Sequence, residues 1–151
     1  MIKKIFRFLF IDKALKSDIA FLKKITLFNG LSDRVLAKIA LIVFKKNYVA
    51  GETVYKANQD ADVLYIIKKG QVKVNNSLGE KIVESGDFFG EMSLIGDKKH
   101  GSSAIALKNS ELFLIYRVKF DDLVDLDAKA GLQIMRNLSQ ILAVRAKCSE
   151  I

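Results

Sequence analysis

Between Tyr48 and Val118 the chain is cut into short β-branched and aromatic runs by Gly, Asn and Asp at close intervals. This punctuation limits the fold more than any other feature of the sequence. The spacing predicts strands over 48–50, 52–56, 63–68, 71–76, 80–85, 103–107 and 111–118. Gly51, Gly70, Gly79 and Gly86 separate them, and Asn75-Asn76-Ser77-Leu78-Gly79 suits a hairpin loop. So many short strands in about 70 residues fit a small barrel or jelly roll.

Helical periodicity brackets this segment. Ile5, Phe6 and Leu9, then Ile19, Leu22 and Ile25, recur at helical spacing until Asn29-Gly30. Ser32 suits an N-cap, with Asp33 in the first turn, for a helix that presents Val35, Leu36, Ile39, Ala40 and Val43 and stops near Lys45. After Arg117 the period returns in a short helix over 119–126 and a longer one over 128–148, whose stripe is Leu132, Met135, Leu138, Ile141, Leu142 and Ala146. The expected class is mainly β with flanking helices, N-terminal helices on one side and a C-terminal helix pair on the other.

With 151 residues, half of them apolar, there is enough chain for one compact core. A single cysteine, Cys148, forms no internal disulfide, and no Cys/His spacing suggests a metal framework, which points to a reducing, cytoplasmic setting. Arg7 interrupts the apolar start and no small-residue cleavage site follows, so residues 1–11 are not read as a secretory signal. Ile2, Ile5, Phe6 and Leu9 share one helical face and Lys3, Lys4 and Arg7 the other, an arrangement suited to an anionic membrane surface or to packing. The formal charge of +8 favours anionic partners without choosing among them.

Four motifs in order carry a resemblance. They are Phe28-Asn29-Gly30-Leu31-Ser32, Gly51-Glu52-Thr53-Val54, the run from Tyr65 to Val74, and Gly86-Asp87-Phe88-Phe89-Gly90-Glu91-Met92-Ser93-Leu94. Together they resemble the cyclic nucleotide-binding domain of catabolite-activator-type regulators, cyclic-nucleotide-dependent kinases and gated channels. The resemblance implies a β-roll or jelly-roll barrel domain over 21–151, and residues 1–20, from their spacing, are expected to form an amphipathic helical extension before it. Asn58 stands where the family often has Gly, and Asn is the next residue to tolerate a left-handed backbone.

In the family the last of these motifs opens a phosphate-binding cassette, in which a glutamate accepts from the ribose 2′-hydroxyl and an arginine nine residues later pairs with the cyclic phosphate. The resemblance places Glu91 at the ribose, Phe89, Gly90, Met92 and Ser93 along the wall, and His100, Gly101, Ser102 and Ser103 at the phosphate. His100 occupies the arginine position. An imidazole offers at most two donors and a charge that fades near neutral pH, so phosphate capture must lean on backbone N–H groups, the serine hydroxyls, Lys98, Lys99 and the start of a short helix after Glu91. A solvated loop histidine is the plain alternative for His100, and a structural acceptor for its own loop is the alternative for Glu91.

Other chemistry fits poorly. Gly96 to Ser103 looks like a Walker A loop, but Ser102 stands at the lysine position. Asp121, Asp122, Asp125 and Asp127 lack an EF-hand glycine and closing glutamate, so a solvated helix face and cap are expected. No nucleophile has a base beside it, and no enzyme is expected. The sequence ends at Ile151, just past the long helix, so direct DNA reading is not expected. The resulting expectation is a regulatory module that senses cAMP or cGMP, uses no metal, and relays a conformational change to a protein effector, with a homodimer open. The alternative is a degenerate barrel without nucleotide binding that serves as a protein-interaction or membrane-peripheral targeting module.

Overall fold

The computed structural model describes residues 2–96 and 98–149, without the side chains of residues 2–11 and Ser149. The amphipathic face of Ile2, Ile5, Phe6 and Leu9 therefore lies outside the described residues. The chain divides into two compact units, Met1–Leu41 with Leu123–Ile151, and Ile42–Asp122.

The first unit is helical. Helix α1 (Ile2–Leu22) leads to a 3-10 turn at Thr26–Phe28, whose Leu27 and Phe28 are buried, and then to α2 (Asp33–Ile42). Ser32 caps α2 as expected, its hydroxyl accepting from Val35 N at 3.3 Å. The long C-terminal helix of this unit, Ala128–Ser149, is capped by Asp127, which accepts from Ala130 N at 3.2 Å and pairs with Lys38 at 3.0 Å.

The face that this long helix buries differs from the expected stripe. Ala130, Ile134, Asn137 and Leu138 are buried, whereas Leu132 is 52% exposed. The anchor is polar: Asn137 Nδ2 donates to the carbonyls of Leu27 at 2.9 Å and Asn29 at 2.8 Å. Leu138 is common to both faces, and the buried face is rotated from the expected stripe toward Ile134 and Asn137, a polar anchor that hydropathy does not weight.

The second unit holds two four-stranded antiparallel sheets. One has the order β1 (Phe44–Tyr48), β8 (Ser110–Tyr116), β3 (Val63–Lys69), β6 (Phe88–Phe89). The other has the order β2 (Thr53–Tyr55), β7 (Ser102–Ala106), β4 (Gln71–Asn76), β5 (Gly79–Glu84). Residues such as Tyr65, Ile67, Val72, Ala104, Ala106 and Leu112 meet in one core between them, which makes the unit a β-roll. The fold class is that expected from the strand punctuation. Helix α3 (Arg117–Leu126) starts directly from β8, with Arg117 N bonded to Asp62 O at 2.7 Å, and the long C-terminal helix is α4.

Two boundaries moved. The helix expected to reach Lys45 ends at Ile42, and the first strand is Phe44–Tyr48 rather than 48–50. Strand β1 pairs with β8 along its whole length, from Phe44↔Leu114 to Tyr48↔Ser110, and this supplies partners for the second edge of β8. Strand β6, which was not expected, follows from Tyr65↔Phe89 and Ile66↔Phe88 pairing. Asn58 does adopt a left-handed φ of 68°.

Candidate functional site

The site grows from one tight backbone turn in the barrel unit. Strand β6 delivers Phe89 to the core, and Gly90 then turns the chain with φ 74° and ψ 13°. A Cβ at Gly90 would lie 2.8 Å from Val63 O and 3.0 Å from the Tyr65 ring, so the turn can press against β3 only as glycine. Five residues of 3-10 helix follow, Glu91–Ile95. This is less than two turns, too short to supply the helix dipole that the sequence suggested for phosphate capture.

Within that turn Glu91 is 7% and Ser93 1% exposed, whereas Met92 faces outward at 42%. Ser93 Oγ is buried and has no hydrogen-bond partner among the described residues. The chain then returns along the loop of residues 58–61: His100 N donates to Gln59 O and Asn58 N to His100 O, both at 2.8 Å. Lys99 pairs with Asp60 at the surface, and Lys98 is likewise exposed.

His100 is not a solvated loop residue. It is 6% exposed, and its ring lies flat on Tyr55, with centroids 3.7 Å apart and planes inclined by 8°. The Tyr55 hydroxyl shares a 2.9 Å hydrogen bond with Ser102 Oγ. Tyr65 and Phe89 complete the aromatic group, at 5.5 and 6.1 Å from Tyr55. Burial pushes the Tyr55 phenol up; the bond to Ser102 opposes this and the nearby charge of Glu91 adds to it. Burial likewise raises Tyr65.

The structure therefore brings Phe89, Glu91, His100 and Ser102 around one residue that the sequence did not single out, Tyr55. Alternation along β7 puts Ser102 on the side of Ala104 and Ala106, and Ser103 with Ile105 on the opposite face. Gly101 is exposed. The only sequence signal for Tyr55 was its parity in the short run Thr53-Val54-Tyr55, which marks a core position and nothing more. No group of His, Cys, Asp and Glu among the described residues could hold a metal ion. No helix there is long and apolar enough to cross a membrane.

A buried carboxylate can accept from a hydroxyl, and an imidazole with two linked hydroxyls can donate to an anion. Residues 45–127 match the family model described as the cyclic nucleotide-binding domain. The chain belongs to that family. It is 34% identical over 118 residues to the cGMP-dependent protein kinase egl-4 of Caenorhabditis briggsae, covering 72% of this chain and 16% of the kinase. A cyclic nucleotide-binding domain from Methylobacillus flagellatus superposes with a TM-score of 0.76 at 22% identity, covering 91% of this chain and 81% of that one. The regulatory domain of Toxoplasma gondii PKA, crystallised with cAMP, gives 0.71 at 22% identity, covering 93% and 51%. At those identities the two structures speak for the fold. The chain spans about a sixth of the kinase's length.

Proposed function

We propose that this chain binds cAMP or cGMP in the barrel unit and acts as a regulatory module for a protein effector. Glu91 accepts from the ribose hydroxyl, Phe89, Gly90 and Ser93 form the wall, and His100 with Ser102 meets the cyclic phosphate. The observation that carries this reading is the carboxylate of Glu91, held at 7% exposure by the left-handed Gly90 beside an aromatic wall and the Tyr55–Ser102 hydroxyl pair. Ser93 Oγ, a buried hydroxyl without a partner among the described residues, fits a site built to meet a polar ligand. The names of the kinase relative and of the cAMP-bound neighbour support the ligand class. Leu132, Met135 and Leu142 follow one side of α4 without full burial, which supports a homodimer seam there.

The experiment is ligand-dependent thermal stabilisation against cAMP, cGMP and their 2′-deoxy analogues, for the unaltered protein and Glu91→Ala. A ligand bound only by the native state raises the melting midpoint. Glu91→Ala is expected to abolish most of the shift for the ribonucleotides and to leave the smaller shift of the 2′-deoxy analogues nearly unchanged. Equal losses for both classes would remove the ribose role. A flat panel would instead favour a barrel that has lost nucleotide binding and serves as a protein-interaction or membrane-peripheral module.

A further inference from the structure

We propose that Tyr55 is the positioning residue that lets His100 serve at the phosphate end of the site, a role that rests on the cyclic-nucleotide reading above. An arginine carries five donors in a rigid fork and can meet a phosphate from several approaches. An imidazole has two nitrogens, both in the ring plane, so its usefulness depends on how that plane is set.

In this protein the plane is set from two sides. The His100 backbone is pinned by Gln59 O and Asn58 N, each at 2.8 Å. The ring is laid against Tyr55 at 3.7 Å and 8°, which directs its nitrogens along the Tyr55 face rather than into it. Tyr55 is itself buried, at 4% exposure, and backed by Tyr65 and Phe89. Its hydroxyl ends on Ser102 Oγ at 2.9 Å. One side chain thus orients both groups that replace the arginine, the imidazole by stacking and the serine hydroxyl by hydrogen bonding.

The test uses the whole chain, whose single histidine makes its imidazole NMR signals unambiguous. Dissociation constants for cAMP and cGMP are measured for the unaltered protein, Tyr55→Phe, Tyr55→Leu, His100→Ala and the double variant Tyr55→Leu/His100→Ala. Tyr55→Leu and His100→Ala are each expected to weaken binding about tenfold, the scale of one directional hydrogen bond. The double variant is expected to bind more weakly than His100→Ala alone by no more than the few-fold lost with the Tyr55 hydroxyl, because the stack acts through the histidine. Tyr55→Phe keeps the stack, so it should keep the ring-current shift of the imidazole protons and lose only a few-fold in affinity, whereas Tyr55→Leu loses the shift.

Additive losses, or Tyr55→Leu with unaltered binding, would overturn the positioning role while leaving the cyclic-nucleotide reading in place. Failure of the unaltered protein to bind either nucleotide would overturn both. If Tyr55→Leu does not fold, Tyr55→Phe and Ser102→Ala form the second cycle. Equal, non-additive losses support the link between the two hydroxyls, and additive ones refute it.

Discussion

Replacing Gly90 by alanine should show how closely the turn before Glu91 is built against β3. Two costs combine. A φ of 74° is left-handed, which costs an L-residue about 1–2 kcal/mol. The new Cβ would also stand 2.8 Å from Val63 O and 3.0 Å from Tyr65 Cδ2. Val63 is held in the ladder opposite Tyr116, so its carbonyl cannot rotate away, and forced repacking of this kind costs about 1–3 kcal/mol. The expected loss is therefore about 2–5 kcal/mol, a large part of the stability of a domain this size. Gly96 is the internal control: its φ is 102°, but a Cβ there meets nothing within 4 Å, so Gly96→Ala carries the conformational cost alone. Urea unfolding of both variants, read as a shift in midpoint at constant slope, gives the comparison. If Gly90→Ala is no less stable than Gly96→Ala, the close approach to β3 has no energetic weight and this account of the turn is wrong.

Asn137→Leu keeps the volume of the α4 anchor but leaves the carbonyls of Leu27 and Asn29 without their donor, so a loss of about 2–3 kcal/mol is expected in urea unfolding. A loss below about 0.5 kcal/mol would mean that water replaces the amide freely. Tyr48, Tyr55 and Tyr65 have phenols raised above 10.0, in each case chiefly by burial. The native state then holds those protons longer than the unfolded chain does. Their contribution is complete below about pH 10 and is lost as pH rises through the folded values. Phenolate absorbance should accordingly lag in the folded protein, and titration of all four tyrosines at the free-phenol value would contradict the burial. Removing residues 1–11 should abolish any co-sedimentation with anionic liposomes at low salt while leaving the barrel folded; indifference of the full chain to such liposomes would dismiss the membrane reading.

What could be read from the sequence is what short-range sterics and patterning control. The left-handed Asn58, the Ser32 cap, the Asp127 cap and the strand runs from Val63 to Asn76 each depend on a residue and its near neighbours. The burial of Glu91, at 7% exposure, belongs here too, because it follows from its place inside an apolar run. The tertiary structure decided the rest, by joining groups far apart in the chain. Lys99 pairs with Asp60, α4 turns its face to satisfy two backbone carbonyls, and β1 begins where β8 needs a partner. His100 meets Tyr55 across 45 residues because β2 and β7 pair antiparallel, with Tyr55 opposite Ala104 after a register shift between Thr53 and Tyr55. No local pattern encodes that stack: a tyrosine in a short strand and a histidine in a loop acquire a shared geometry only when the sheet sets the distance between them.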